Sequence, residues 1–173
     1  MKLLIINGPS GIGKSTLAEK LHREIPLSLL IDVDAWRRFI SEYRTHRTES
    51  AELAYRITLA AVDSYLASGH SVIVEKAMSD NMILDAFVRC GAKHGAEVHE
   101  FLLVIADKEI LLQRAQLRGY SPDSLLTPAK VEELWESSHA LAAVRQHAHV
   151  IDVTGLDADA LHTKVRNIVN QRH

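Results

Sequence analysis

An α/β fold, a five-stranded parallel sheet with helices on both faces, is the prediction that three observations make. Five short apolar runs, at 2–7, 27–34, 70–77, 98–106 and 149–153, alternate with stretches of helical periodicity. The runs are apolar throughout rather than alternating, as in strands covered on both faces. Pro26, Gly69, Gly95 and Gly119 punctuate the ends of helices.

Taken in order, the run 2–7 is the first strand, and Leu17, Ala18 and Leu21 give residues 14–24 one apolar face, stopped before Pro26. "LSLLIDVD", 27–34, is a second strand ending in two aspartates, followed by a short helix holding Trp36 to Ser41. A long helix covers about 50–68, with Leu53, Ile57, Ala60, Ala61 and Ser64 on one side. "HSVIVEKA" is the third strand, 80–94 a helix, 98–106 the fourth strand and 107–118 another helix. "YSPDSLLTP" reads as a loop, and Thr127 with Pro128 suits the cap and first turn of a helix to about 147. Residues 149–153 are the fifth strand and 157–171 a closing helix. In such a sheet the ligand sits beyond the carboxyl ends of the strands, so chemistry is expected just after Ile6, Val33, Val74, Ile105 and Val153.

At 173 residues, without repeats or linkers, the chain suits a single domain, 1–173. Its net charge of -2 provides no general field for nucleic acid or anionic lipid. No stretch approaches the ~20 apolar residues of a membrane span. The one cysteine, Cys90, excludes an internal disulfide and reads as a small buried apolar group, so a cytoplasmic location is expected. The histidines show no H-x-x-x-H or H-E-x-x-H spacing, so no zinc site is expected, and the aromatics form no stacking stripe.

One motif is specific. Gly8-Pro9-Ser10-Gly11-Ile12-Gly13-Lys14-Ser15 fits G-x-x-x-x-G-K-[ST] at every fixed position, between a buried strand and a helix. Glycines let backbone amides turn inward around phosphate oxygens, and the helix N-terminus and the Lys14 ammonium add positive charge. Gly8, Ser10, Gly11, Ile12, Gly13, Lys14, Ser15 and Thr16 are therefore the expected nucleotide-binding set. Ser15 is the expected Mg²⁺ ligand.

The loop, the chain length and the strand pattern resemble the small P-loop kinases: shikimate and gluconate kinases, the chloramphenicol phosphotransferase group and the kinase domain of polynucleotide kinases. The resemblance implies a three-layer P-loop NTPase fold of strand order 2-3-1-4-5, a mobile lid, and ATP with Mg²⁺ as phosphoryl donor. Asp32-x-Asp34 resembles shikimate kinase, where the first aspartate lies near the metal and the second bonds the acceptor hydroxyl. "DAWRR" also resembles the Asp-x-x-Arg of polynucleotide kinases, with Asp34 and Arg37 at the matching places. Asp32 and Asp34, both on the second strand, are expected to point to one side, Asp32 toward Mg²⁺ and Asp34 toward the hydroxyl proton. The alternative for Asp34 is a helix N-cap. Glu75, with Lys76 beside it, is either an acid touching the metal's waters or the acceptor, or simply the point where a strand reaches solvent. "EKAMSDN" replaces the glycine run of shikimate kinases, which argues against shikimate itself. Arg44, His46 and Arg47 belong to either a substrate loop or a solvated surface.

Arg114 and Arg118, four apart on one helix face, resemble the lid arginines that fold over the triphosphate and neutralise charge on the transferred group. The lid is expected at about 113–127, with Gly119, Ser121 and Pro122 as hinge. The turn at Thr154-Gly155, with Asp157 as a cap, is expected against the adenine. The leading functional expectation is ATP-dependent transfer of the γ-phosphoryl group to a hydroxyl of a sugar acid, nucleoside or antibiotic. A polynucleotide 5′-hydroxyl acceptor is the alternative, and the acidic bulk charge weighs against it. A regulatory NTPase is the third reading, against which stand the missing Asn-Lys-x-Asp and the poor acid pair in "VIVEKA". The partners implied are nucleotide and a small acceptor; the chain is monomer or homodimer.

Overall fold

The apolar runs pair in parallel in the spatial order β2-β3-β1-β4-β5, so the first strand in sequence is central and flanked on both sides. The structure is a computed structural model and describes residues 1–119 and 126–171, apart from the Arg118 side chain. The order of elements is β1 (Lys2–Asn7), α1 (Lys14–Glu24), β2 (Leu29–Asp32), α2 (Val33–Arg37), α3 (Arg47–Ala67) and β3 (Val72–Lys76). There follow α4 (Asn81–Lys93), β4 (Glu97–Val104), α5 (Lys108–Arg118), α6 (Pro128–Val144), β5 (His149–Asp152) and α7 (Ala158–Asn170). Ser121 and Pro122, within the 120–125 portion of the expected lid, lie outside the described residues.

Strand side chains alternate between two cores because their period is two. Leu4, Ile6 and Ile73 pack with Leu17 and Leu21 of α1, Leu111 of α5 and Val165 of α7. Leu3, Ile5, Val72 and Val74 pack with Val62 and Leu66 of α3 and Leu84 and Phe87 of α4. The same alternation sets the site. Glu75 shares the α1 face with Ile73, whereas Asn7 shares the α3–α4 face with Ile5.

Asn7 is 2% exposed and fastens the end of β1 to the segment after β3. Its Oδ1 accepts from the Gly8 amide at 2.7 Å and the Met78 amide at 2.8 Å, and its Nδ2 donates to the Met78 carbonyl at 2.9 Å. Asn7→Ala leaves three backbone groups without these partners in a dry place. It should cost about 2–4 kcal/mol. Urea unfolding checks this: the midpoint falls while the slope is kept, since the surface exposed on unfolding hardly changes.

Several element bounds and one helix face differ from the sequence prediction; α2, for one, spans Val33–Arg37 rather than Trp36 to Ser41. β2 ends at Asp32, not at residue 34, because the Asp32 side chain accepts from the amides of Asp34 (2.8 Å) and Ala35 (3.1 Å) and starts α2 at once. An aspartate at a strand–helix junction satisfies orphan amides that a longer strand could not. The buried stripe of α3 is Ser50, Ala54, Thr58, Val62 and Leu66, whereas Ile57 of the predicted stripe is 48% exposed. Ser50, Ala54 and Thr58 fill the first half of the inward face, so apolarity alone points to the wrong side there. α6 opens as predicted, Thr127 accepting from the Lys130 amide at 3.2 Å.

Candidate active site

The phosphate loop joins β1 to α1, and its backbone demands glycine. Gly8 has φ 153, and a Cβ there would stand 2.7 Å from the Leu103 carbonyl oxygen. Gly13 has φ 104 and opens α1 from the left-handed region, with no side-chain cap and no acid in the first turn. α2, α4, α5, α6 and α7 all open on an Asp or Thr that caps them. The amides at the start of α1 therefore present partial positive charge suited to an anion. Lys14 is 8% exposed, and its Nζ donates to the Pro9 carbonyl at 3.0 Å, so the ammonium folds back across the loop.

Ser15 donates from Oγ to Glu75 Oε1 at 2.8 Å. The parallel register explains the meeting: Glu75 is level with Ile6 on β1 and with Asp32 on β2. Burial raises the Glu75 pKa, with Asp32 and Asp34 adding to it; Lys14 and the Ser15 hydrogen bond act in the other direction without overcoming it. Ser15, Glu75 and Asp32 thus set hard oxygen donors beside the loop, the donor type Mg²⁺ takes. The residues fit that ion, although Asp32 Oδ1 already serves two amides.

Asp32 and Asp34 do not share a strand face, because β2 ends at Asp32 and Asp34 lies in α2. Asp32 is at the end of β2 beside Glu75, while Asp34 belongs to α2 and forms an ion pair with Lys76, whose Cα is level with that of Asn7. The shared-face expectation assumed a strand through residue 34, and the cap at Asp32 removes it. The cap alternative also falls on Asp32 rather than Asp34. The Asp34 side chain is half exposed, yet crowded enough that desolvation pushes its pKa up. Lys76, then Lys14 and Arg37, outweigh this and leave the carboxyl below the ordinary range. Tyr55 of α3 shares these surroundings: burial, Asp34 and Asp80 all raise its phenol pKa, and Arg37 opposes them without overcoming them.

Arg37 is engaged elsewhere. Its Nε donates to Ser50 Oγ at 3.0 Å, and Nη2 bonds the Arg47 carbonyl, tying α2 to the start of α3. His46 lies 3.5 Å from Glu42 and 3.7 Å from Glu49, and the Arg44 guanidinium sits 5.5 Å from the Tyr43 ring centre. On the other side of the loop a cavity of about 240 Å³ has Gly11, Gly13 and Thr16 on one wall and Val153, Leu156 and Asp157 on the other. Arg114 of α5 lines it as well, and Gly11 packs close to Ala115 of the same helix. The Arg118 side chain lies outside the described residues.

Sequence reasoning gave Asn7 and Tyr55 no role and Lys76 only a place at a strand end. Lys76 carried a usable signal, because it alternates with Glu75 and so had to face the α2–α3 side. Nothing local marked Tyr55, which arrives from a helix beginning ten residues after α2.

No curated protein matches the chain. Among solved structures, the Deinococcus radiodurans tunicamycin resistance protein is 19% identical, with TM-score 0.67 over 99% of this chain and 98% of that one. A shikimate kinase from Bacteroides thetaiotaomicron is 15% identical, with TM-score 0.69 over 98% and 99%. A gluconokinase from Sinorhizobium meliloti 1021 is 17% identical, with TM-score 0.63 over 99% and 97%. At these identities the likeness is one of fold, the P-loop kinase fold with its 2-3-1-4-5 sheet. The profile of the AAA_33 family, described as an AAA domain, matches residues 3–141, and the chain belongs to that family.

Proposed function

We propose that the protein transfers the γ-phosphoryl group of ATP to a hydroxyl of a small molecule. One observation carries the reading: the Lys14-bearing phosphate loop after β1 and the Asp34 carboxylate in α2, just past β2, are near enough for Lys14 to help hold that carboxyl below the ordinary range. The amides of residues 11–16 and the Lys14 ammonium hold the β- and γ-phosphates. The cavity lined by Leu156 and Asp157 takes the base, with Arg114 beside the phosphates. Its volume is slightly under the ~300 Å³ of a small ligand pocket, as suits a site holding only part of a nucleotide.

Mg²⁺, held through Ser15 with Glu75 and Asp32 around it, would supply charge neutralisation on the phosphates. The acceptor hydroxyl enters from the Asp34 side. As its oxygen bonds to the γ-phosphorus, the bond to the β–γ bridging oxygen breaks, ADP leaves, and the hydroxyl proton passes to Asp34. Little basicity is needed, since the proton leaves late in a loose transition state and positioning dominates. The gluconokinase, shikimate kinase and antibiotic-resistance neighbours make sugar acids and antibiotics the first acceptors to try. Arg37 gives the polynucleotide alternative little support, because two of its donors hold α3. The test is an ADP-release screen across sugar acids, nucleosides, antibiotics and oligonucleotides. Acceptor-dependent release with a small molecule is expected. ATP loss indifferent to every hydroxyl compound would mean a regulatory NTPase instead.

Glu75→Gln separates structure from chemistry here. The amide oxygen still accepts from Ser15 and the buried charge is gone, so stability should stay within about 1 kcal/mol or rise. Turnover should fall about 10²-fold as the negative charge beside Ser15 disappears. Thermal unfolding and initial rates, measured on one preparation, check both halves.

A further inference from the structure

A second group of side chains with ligand chemistry lies at the other end of the molecule. α4 returns from the end of β3 to the start of β4, so its last turn sits at the end of the sheet where the strands begin, opposite the phosphate loop. Cys90 and His94, four residues apart, share one face of that turn and meet Asp63 on α3. Asp63 Oδ1 lies 2.9 Å from His94 Nε2 and 3.8 Å from Cys90 Sγ, and one donor atom from each residue lies within 4.8 Å of the others.

These spacings are close to those that a tetrahedral zinc ion imposes. With bonds of about 2.0–2.3 Å, neighbouring ligand atoms stand roughly 3.4–3.6 Å apart. The Asp63–His94 and Asp63–Cys90 separations are each within about half an ångström of that geometry, and the Cys90 and His94 ligand atoms lie within 4.8 Å of each other. Thiolate, imidazole and carboxylate together suit Zn²⁺, whereas Mg²⁺ takes oxygen in octahedral array. We infer that Asp63, Cys90 and His94 form a three-ligand Zn²⁺ site, independent of the phosphate loop, that ties α3 to α4.

The surroundings are consistent with an open fourth position. Asp63 and Cys90 line a groove of about 590 Å³ between the two helices, which gives an ion a path in. Lys93 Nζ lies 2.7 Å from Asp63 Oδ1, and with Arg56 and Arg89 it lines the same groove. The Lys93 side chain is 63% exposed, so its ammonium can leave Asp63 for water as the metal enters. The three cations favour an anionic fourth ligand. On binding, the Cys90 thiol proton is released to solvent as the metal–sulfur bond forms.

Cobalt titration of the purified 173-residue chain tests the site. The sequence has one cysteine, so a thiolate-to-cobalt charge-transfer band reports on Cys90 alone, and the oxygen donors near Ser15 cannot produce it. The expected result is a band saturating at one Co²⁺ per chain, with tetrahedral visible bands, abolished by Zn²⁺ and absent in Cys90→Ser. Asp63→Asn and His94→Gln should each weaken binding at least about tenfold. Zn²⁺ should also raise the unfolding temperature of the wild type and not of His94→Gln, which guards against variants that fold poorly. Absence of the band overturns the site. So does a band equally strong in Asp63→Asn and His94→Gln, or one saturating at half an ion per chain.

Discussion

Lys14→Ala should reduce phosphoryl transfer at least about 10³-fold, measured as ADP release with the acceptor that the screen identifies. The ammonium is nearly buried, held over the loop by the Pro9 carbonyl, and close enough to bias both Glu75 and Asp34. Its removal therefore takes a preorganised charge from the place where phosphate oxygens would gather. It also takes away one of the influences that keep Asp34 ionised. Arginine is a poor substitute, since a planar fork does not fit where a compact ammonium folds back on its own loop. Nucleotide affinity should drop in parallel. A variant with a rate within tenfold of wild type would remove Lys14 from the mechanism.

Asp34→Asn should lower kcat about 10²- to 10⁴-fold while ATP affinity changes little. The amide keeps the shape of the carboxylate but neither accepts a proton nor attracts a developing positive charge on the hydroxyl. The pH dependence follows from the same residues. Burial raises the Asp34 pKa, but Lys76, Lys14 and Arg37 bring it below the ordinary value near 3.9. The activity that depends on ionised Asp34 should thus persist as pH falls through 5 and disappear only below about 4. Stability has the same sign. The Asp34–Lys76 pair contributes above the unfolded aspartate's pKa, and its contribution is lost as pH falls through the lowered folded value. Lys76→Ala removes the main lowering charge and should shift the acid limb of the rate profile upward. An acid limb that stays in place would dissociate Asp34 from the pH profile.

The strand and helix order was legible because buried parallel strands are continuous apolar runs, and because glycine or proline marks the ends. The phosphate loop was legible because its glycines and Lys14 answer to a backbone geometry that few other residues permit. Asp32 and Asp34 were not. An Asp-x-Asp pattern is compatible with a strand through residue 34 or with a cap at residue 32, and only the packing of α2 selects the cap. The pairing of β1 with β3 brings Glu75 to Ser15 and Asn7 to Met78 across some 60 to 71 residues of sequence. Periodicity within a window carries no information at that separation. The inward face of α3 escaped for a different reason, since Ser50 and Thr58 are buried there and Ile57 is not.

A crystal structure with Mg²⁺ and a non-hydrolysable ATP analogue should show the β-phosphate within the amides around Gly11 and Gly13, Lys14 on its oxygens, the metal at Ser15, and the γ-phosphate turned toward Asp34. Nucleotide bound elsewhere with the loop empty, or Asp34 facing away from the γ-phosphate, would contradict the proposed transfer.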